Sequence, residues 1–365
     1  MRYGSSVRGE YMKIAIAGGG IAGSFLAQLL QQNGHSPDVF DGMEHDTRCG
    51  CRSCGWGAPA GIERYLAEVG LDLNEYLLEP MSSMNFDSLV AKTPLLTIDK
   101  PRLIRDFTRG ITLKRQNLGM EEAKDYDVLV DATGIARALL PPCRSDLILP
   151  TLQHRVAVES IGNGRLEAGV YGNHVPGLGY IWVFPLGRNQ YHIGIGGIGL
   201  SGLESLMDRF YQDLSGRFAI TRFCSCRGDV RVTSPYYSTP LYRKKSRKDG
   251  RSQLIVGVGE SIGTVAPFTG EGIAHSLECA KIFAESWPDP EDYAKSVLTK
   301  FSWMKKERET LDYLLEQRGK GSPRMRDRWR FFRSARRSGI GLPMLEAFRQ
   351  LGSLSQWLDS PGESR

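Results

Sequence analysis

The sequence predicts an α/β fold with three parts: a Rossmann-type domain, an antiparallel β-sheet domain inserted into it, and a C-terminal helical tail. Three observations predict this architecture. An apolar strand runs into a glycine-rich turn and an amphipathic helix within residues 13–41. Between Gly179 and Gly199 the apolar residues alternate with a period of two, which is typical of a β-hairpin. Helical patterns then follow residue 291 to the end of the chain.

The first unit begins with an apolar strand, Ile14–Ala17, and a turn whose glycines are spaced G-x-G-x-x-G. In such a turn the first glycine permits the tight bend, the second lets the backbone approach a pyrophosphate, and the third lets helix and strand pack closely. The helix that follows offers free N–H groups and a partial positive charge to phosphates. The residues assigned to this turn and helix start are Gly18, Gly20, Ile21, Ala22 and Gly23.

Asp41 ends the second short strand, at the distance expected of an acid that binds a ribose diol. Because its carboxylate would accept a hydrogen bond from a free 2′-hydroxyl, Asp41 favours FAD or NAD over NADP. An ordinary glycine-rich turn would explain the glycines alone. Strand, helix and acid, however, follow in the order that a dinucleotide site requires. The sequence therefore predicts a dinucleotide site here.

Hydrophobic patterns predict the elements that follow. Residues 80–124 carry no clear period and receive no assignment. A short apolar strand over 126–130 leads into Asp131-Ala-Thr-Gly134, so we expect Asp131 and Gly134 to face the cofactor. The other predicted elements are helices over 62–69 and 203–214, strands over 230–232 and 254–258, and a helix that begins near Gly270.

A second glycine-containing stretch, Gly259–Ile273, opens that last helix. Gly270 and Gly272 leave backbone N–H groups to face an anion or a flavin carbonyl, and Pro267 stiffens the approach. The alternative is a plain loop-to-helix connection with glycines at the N-cap.

With these motifs in view, the chain resembles the geranylgeranyl reductase family of flavoproteins, within the aromatic-hydroxylase-like FAD superfamily. The resemblance runs from about Met12 to about Trp287. The segments that carry it are the Gly18–Gly23 fingerprint, Asp131–Gly134, Tyr180-Ile-Trp-Val-Phe-Pro185-Leu-Gly with Ile193-Gly-Ile-Gly196, and Pro267–Ile273. The resemblance implies an FAD-binding domain from 12–60, 95–140 and 250–290, a substrate domain from 61–94 and 141–249, and a helical region over 291–365.

The resemblance also implies roles for individual residues. Gly18, Gly20, Gly23 and Asp41 would hold the ADP half of FAD, and Arg48 and Cys49 would lie by the flavin. Gly270 and Gly272 would lie along the isoalloxazine, and Tyr180 and Trp182 would line a cavity for a prenyl chain. Further residues expected at the cofactor are Ile21, Ala22, Asp131, Gly134, Glu260, Pro267 and Ile273. The chain departs from the family pattern at Glu260 (usually Asp), at Lys100 (usually Arg), and between Arg109 and Asp127, where it is shorter.

The activity implied by the resemblance is reduction of carbon–carbon double bonds in a prenyl chain. Reduced FAD would deliver hydride to one alkene carbon, and an acid would protonate the other, with Cys49 as the leading candidate. Tyr180 and Trp182 are the other residues assigned to catalysis. The electron donor would be NAD(P)H or a ferredoxin-like protein. The ferredoxin-like donor stays open because no second glycine-rich fingerprint for NAD(P)H is evident. Alternatives are an FAD monooxygenase and a metal-containing electron-transfer flavoprotein.

Five cysteines stand in two close-spaced groups. Cys49, Cys51 and Cys54 form C-x-C-x-x-C, and Cys224 and Cys226 form C-x-C. Three explanations stay open: a zinc or iron–sulfur site, a redox-active or catalytic thiol beside the flavin, and small buried residues in a tight loop. Because the spacing matches no standard signature, we assign no metal and keep Cys51, Cys54, Cys224 and Cys226 as weak candidates.

The charge of +6 is concentrated near the C-terminus, where residues 300–337 hold thirteen Lys or Arg against five Asp or Glu. This basic stretch suggests a solvated helical face or attraction to an anionic lipid surface or a phosphorylated substrate. No motif supports nucleic-acid binding. No export signal or bilayer-spanning run is visible, so we expect a cytoplasmic protein with peripheral contact to the membrane.

Overall fold

The computed structural model describes six stretches of the chain: residues 12–42, 54–87, 89–244, 253–316, 324–341 and 343–345. The strands in chain order are β1 Ile14–Ala17, β2 Asp38–Phe40, β3 Gly57–Pro59, β4 Leu77–Phe86, β5 Leu89–Ile98, β6 Thr112–Lys114, β7 Val128–Asp131, β8 Ile148–Ser160, β9 Gly169–Tyr171, β10 Gly179–Pro185, β11 Gln190–Gly197, β12 Phe218–Arg222, β13 Cys226–Arg231, β14 Leu241–Lys244 and β15 Gln253–Gly257.

The helices differ widely in length, from one turn to about four. In chain order they are α1 Ile21–Gln32, α2 Glu63–Glu68, α3 Lys100–Phe107, α4 Met120–Ala123, α5 Leu203–Ser215, α6 Ile273–Ser286, α7 Pro290–Lys300, α8 Ser302–Glu316 and α9 Met325–Arg337. Short 3-10 turns lie at Ala60–Ile62, Leu73–Glu75, Gly134–Ala136 and Gly259–Ile262. Within the described stretches, none of the helices combines the length and the apolar composition needed to cross a bilayer.

The first sheet has six strands in the order β14-β15-β7-β1-β2-β6, and all neighbours are parallel except β14 and β15. Every residue of β1 and β7 is buried. Strands covered on both faces carry continuous apolar runs, which is why these two are readable in the sequence. The predicted α/β fold with a Rossmann-type sheet is confirmed.

The second sheet has nine strands in the order β12-β8-β11-β10-β9-β4-β5-β3, with β13 also paired to β8. The predicted hairpin is present as β10 and β11, which pair antiparallel. Its turn places Arg188 and Asn189 at positive φ, the backbone region that two-residue hairpin turns require. One pair, β4 with β9, is parallel.

Residues 80–124, which the sequence left unassigned, contain most of the long hairpin of β4 and β5, together with α3, β6 and α4. The pairing of β4 with β5 shifts register at two places. Such irregularities interrupt the alternation of apolar and polar residues, so the period-two signal is lost.

The residue ranges that form each sheet can be compared with the predicted domain boundaries, which remain predictions. The parallel sheet takes its strands from 14–40, 112–131 and 241–257. Residues 57–59 and 77–98 belong to the antiparallel sheet instead.

The C-terminal region is helical over α7, α8 and α9, as predicted. Three apolar clusters attach it to the rest of the molecule. The main core includes Tyr293 and Val297 of α7. Leu311 and Leu314 of α8 pack with Leu178 and Phe268, and Ala335 of α9 packs with residues of β4. The tail therefore lies against both the antiparallel sheet and the loop that precedes α6.

Candidate active site

In the turn between β1 and α1, two glycines leave no room for a side chain, and a third borders open space. A Cβ at position 18 would lie 2.3 Å from the carbonyl oxygen of Ala132, and one at position 23 would lie 2.0 Å from the carbonyl oxygen of Gly18. A Cβ at Gly20 would meet no heavy atom within 4 Å. Gly20 is the N-cap of α1, so open space lies where the helix presents its first N–H groups, at Ile21 and Ala22.

Asp41 follows β2 and is buried, with 8% of its surface exposed. Its side chain lies against the same turn, because a Cβ at Gly19 would be 2.7 Å from Oδ2 of Asp41. Its backbone N–H donates to the carbonyl of Lys114 in β6. The structure thus brings the predicted ribose acid and the predicted pyrophosphate turn together.

Asp131 ends β7 with its carboxylate turned into the following loop. Oδ1 accepts from the backbone N–H and the hydroxyl of Thr133, and Oδ2 accepts from the N–H groups of Leu139 and Leu140. All four bonds are local to residues 131–140. We therefore expect Asp131 to shape the loop that presents Gly134, with its backbone rather than its carboxylate nearest a cofactor.

Arg231, at the end of β13, is a residue that the sequence analysis missed. Its guanidinium binds Asp146 at 2.9 Å and also donates to the carbonyls of Gly134 and Ile135. Its backbone N–H donates to Oε1 of Glu260 at 2.9 Å. Arg231 thus joins the Gly134 loop to the Gly259 loop while only 4% exposed. A single Arg inside a strand pattern belongs to no recognisable motif, so the sequence does not indicate that Arg231 joins these two loops.

Gly259 lies between the two helices that begin at the site. A Cβ there would be 2.8 Å from Cβ of Ala22 in α1 and 3.5 Å from Oγ of Ser276 in α6. The two predicted glycine-containing turns, which are more than 230 residues apart in the sequence, therefore meet at one loop.

The loop 266–272 leads into α6, which begins at Ile273 with Gly272 as N-cap, slightly later than predicted. Pro267 is buried, and Gly270 is exposed with φ of 66°. The loop is closed by bonds between Ala266 and Glu271 and from the N–H of Gly270 to the carbonyl of Ala266. The N–H of Gly270 is thus used within the loop, and Gly272 stands at the start of a helix, where N–H groups favour negative charge.

Tyr180 lies directly against this loop. Its hydroxyl donates to the carbonyl of Thr269 at 2.6 Å, and a Cβ at Gly270 would be 2.7 Å from the same hydroxyl. Burial raises the pKa of Tyr180 to about 12, so the phenol stays protonated and remains a donor at neutral pH. The Tyr180 strand and the second glycine turn, which the resemblance assigns to one site, are therefore in contact.

Trp182 lies flat on the antiparallel sheet. Its ring occupies the space beside Gly194, where a Cβ would be 2.2 Å from Cζ2 of the indole. Its Nε1 donates to Oε1 of Gln153 at 3.1 Å, and the side chain is 8% exposed. Tyr180 packs edge-on against it, with ring centroids 6.1 Å apart. The two aromatic residues form one continuous surface of β10, on which Tyr180 is the more accessible.

Only some of the predicted cysteine-site residues lie within the described stretches. Arg48, Cys49 and Cys51 lie outside the described residues. Cys54 accepts from Nζ of Lys100 at 3.4 Å, so the position that the family pattern gives to Arg stands beside this thiol.

In the second cysteine pair, the Cys226 thiol donates to the sulfur of Cys224 at 3.7 Å, and the two form no disulfide. Among the described residues, no group of three or more His, Cys, Asp or Glu side chains is arranged to hold a metal ion.

No protein-family model matches the chain. Among curated proteins, it is 23% identical over 316 residues to the uncharacterized protein MJ1182 of Methanocaldococcus jannaschii, covering 75% of this chain and 82% of that protein. It is 29% identical over 134 residues to digeranylgeranylglycerophospholipid reductase 2 of Methanothermobacter thermautotrophicus, covering 37% of this chain. That match spans only 32% of the reductase, about a third of its length.

Solved structures resemble the chain over nearly its whole length. A geranylgeranyl bacteriochlorophyll reductase-like protein of Thermoplasma acidophilum superposes with a TM-score of 0.61 at 17% identity, covering 96% of this chain and 92% of that one. The tryptophan 5-halogenase MibH superposes with a TM-score of 0.60 at 13% identity, covering 98% and 92%. These likenesses confirm the predicted fold, and the partial matches to digeranylgeranylglycerophospholipid reductases bear out the predicted resemblance.

Proposed function

We propose that this chain is an FAD-dependent oxidoreductase that reduces carbon–carbon double bonds in the prenyl chain of an isoprenoid lipid. The observation that carries the proposal is the contact of Tyr180 with the loop 266–272. It sets the aromatic surface of β10 against the glycine turn at which the resemblance places the isoalloxazine. The partial matches to digeranylgeranylglycerophospholipid reductases support the same substrate class.

The residues at the site fit FAD. Gly20 leaves open space at the N-terminus of α1, where a pyrophosphate would lie, and Asp41 stands beside that turn to accept a ribose hydroxyl. The loop at Gly259 brings the start of α6 next to the start of α1. One extended dinucleotide can therefore reach both turns. When bound, FAD supplies the two-electron hydride chemistry of the reaction.

The chain's own residues orient the substrate and exclude water. Tyr180 and Trp182 offer an apolar surface on which a prenyl chain would lie, and each uses its polar atom to bond protein rather than substrate. An isolated alkene is a weak electrophile, so a placed acid must protonate the second carbon. Cys49 keeps this assignment as part of the proposal.

The tail supplies a surface for the lipid's membrane. Met325 and Trp329 of α9 are exposed at 68% and 45%, one helical turn apart. Arg326 and Arg333 are exposed on the same helix. An amphipathic helix with this composition lies in an anionic lipid interface. We propose peripheral contact through α9, with NAD(P)H or a ferredoxin-like protein as electron donor.

The test is an absorbance spectrum of the purified protein under anaerobic conditions, followed by incubation with dithionite and a digeranylgeranylglycerophospholipid. Mass spectrometry should show a gain of two hydrogens for each bond reduced. A protein that takes up no FAD would rule out the proposal.

Two other products would identify the alternatives. An oxygenated product formed only in air would indicate a monooxygenase. Stoichiometric iron or zinc with no effect on prenyl lipids would indicate an electron carrier.

A further inference from the structure

Glu307 is a buried acid in α8, beyond the part of the chain that the family resemblance covers. It is 1% exposed. Its Oε1 lies 3.4 Å from Nη1 of Arg337 in α9, and its Oε2 is buried without a hydrogen-bond partner. A buried carboxylate oxygen left without a donor is costly when it is charged and much less so when it carries a proton.

The groups around Glu307 come from every neighbouring element. They are Arg337 and Ser334 of α9, His275 of α6, and the backbone N–H of Phe268 in the loop 266–272. Burial raises the pKa of Glu307 to about 7, although Ser334, Arg337, His275 and the Phe268 N–H each oppose the rise. His275 is in turn paired with Glu271, Nε2 to Oε2, at 2.7 Å.

Other contacts hold the same tail helices to the same loop. Thr269 Oγ1 and Ser338 Oγ are 3.1 Å apart, and the rings of Phe268 and Phe331 meet edge-on at 5.6 Å. Glu307 thus stands behind a loop that is fixed on its tail side, while the front of the loop presents Gly270 beside Tyr180. A change of charge in front of the loop would therefore act on Glu307 across the thickness of the loop.

We propose that Glu307 is a positioning residue that takes up a proton behind the loop 266–272 when negative charge appears at the cofactor position in front of it. The inference rests on the proposed function, because it needs a flavin at Gly270 and Gly272. The charge would arise when dithionite supplies two electrons and solvent supplies one proton, or when a reduced nicotinamide supplies both together as a hydride. One further proton from solvent then bonds to the Glu307 carboxylate, and no other bond breaks.

The purpose of this device is charge balance. Without it, reduction would place a negative ring and a negative carboxylate on opposite sides of one loop, and like charges in such surroundings repel. With it, the buried carboxyl is neutral whenever the ring is charged. His275 and Glu271, which are partly exposed, offer the proton a route from solvent.

The experiment follows the carboxyl stretching band of protonated Glu307 by infrared difference spectroscopy against pH. It is run on the wild-type protein without flavin, with bound FAD, and with FAD reduced by dithionite. Glu307→Gln removes the group at nearly equal volume. Glu309→Gln is the matched control, since Glu309 lies on the same helix but is only partly buried, with 39% of its side chain exposed. A band titrating near neutral pH in the wild type and in Glu309→Gln, absent from Glu307→Gln, and shifted to higher pH by reduction, is the expected result.

Arg337→Gln is a second variant that keeps Glu307. Because the Arg337 guanidinium, whose Nη1 lies 3.4 Å from Oε1, lowers the pKa of Glu307, its loss should move the titration to higher pH. The proposal is overturned if no carboxyl titrates near neutral pH, or if reduction of bound FAD leaves the titration where it was. A protein that binds no FAD would instead fail the proposed function, and its absorbance shows this before any titration begins.

Discussion

The two glycine turns at the candidate site are built in opposite ways. At the first, Gly18 and Gly23 are held by backbone within six residues of each other, against β1 and the end of β7. At the second, Gly270 is held by Tyr180 from the antiparallel sheet, and its loop is held by the tail. The first turn is therefore local except for its contact with Ala132 after β7, and the second exists only when three distant parts of the chain have assembled.

This difference predicts how each turn responds to substitution. A change in the local turn should damage the Rossmann sheet itself, since the close contacts there are backbone on backbone. A change in the assembled turn should be absorbed in part by the side chains that surround it. Four sets of variants would break or sharpen this comparison, from the largest expected effect to the smallest.

Gly23→Ala should have the largest effect. The added methyl would lie 2.0 Å from the carbonyl oxygen of Gly18, and neither backbone can retreat without shifting β1 or α1. We expect a loss of about 4 kcal/mol in the free energy of unfolding, or no folded protein. Denaturant unfolding followed by circular dichroism measures it.

Gly20→Ala is the matched variant in the same turn. Its methyl would meet no protein atom, so stability should fall by less than about 1 kcal/mol. FAD binding, measured by fluorescence titration, should weaken at least tenfold, because the methyl stands where the pyrophosphate approaches. Equal stability losses in Gly23→Ala and Gly20→Ala would contradict the difference in space around these two glycines.

Arg231→Met tests the residue that joins the Gly134 loop to the Gly259 loop. Its loss leaves Asp146 partly buried without a cation, and frees the carbonyls of Gly134 and Ile135. We expect a loss of about 3 kcal/mol in unfolding free energy. The variant should also weaken FAD binding, because the loop at Gly134 is released from the loop at Glu260. If Arg231→Met lowers the free energy of unfolding but leaves the affinity for FAD unchanged, Arg231 only supports the fold.

Asp146 supplies a pH signature of the same link. Burial alone would raise its pKa, but hydrogen bonds from Arg231 and Thr233 bring the pKa below its ordinary value. A carboxylate with a lowered folded-state pKa stabilises the fold above its ordinary pKa and loses that contribution as pH falls through the lowered value. Wild type should therefore lose stability in acid relative to Asp146→Asn. Parallel pH profiles of the two unfolding free energies would exclude this contribution.

The sequence revealed the first turn almost completely. Gly18, Gly20, Gly23 and Asp41 were predicted because a local structure leaves its whole signature in one stretch of chain. The helix at Ile273 was predicted for the same reason.

The sequence predicted less about the contacts that hold the second turn. Tyr180 was assigned to the site through the family resemblance, but not its bond to Thr269. Arg231 and Glu307 were not predicted at all, because their roles depend on which distant backbone groups they meet. A single Arg in a strand, or a Glu in a basic helical tail, looks like an ordinary surface charge until the chain folds.

Gly270→Ala perturbs the assembled turn and should cost less than Gly23→Ala. Position 270 has φ of 66°, and the methyl would lie 2.7 Å from the Tyr180 hydroxyl. We expect a loss of about 2 kcal/mol in unfolding free energy. Adding Tyr180→Phe removes the clashing hydroxyl, so the double variant should recover part of the loss. Strict additivity in this double-mutant cycle would show that the two residues do not interact.

Tyr180→Phe alone should have a small effect on stability, about 1 kcal/mol, because it removes one hydrogen bond to the carbonyl of Thr269. Its effect on the proposed reaction should be larger than its effect on the fold, since the hydroxyl fixes the loop at the isoalloxazine position. We expect the flavin absorbance bands to shift and prenyl reduction to slow, with FAD affinity nearly unchanged. Trp182→Phe is the control, since it leaves the loop contact intact while removing the indole bond to Gln153. If Trp182→Phe shifts the flavin spectrum and Tyr180→Phe does not, the second turn is held by the sheet as a whole and not by the Tyr180 hydroxyl.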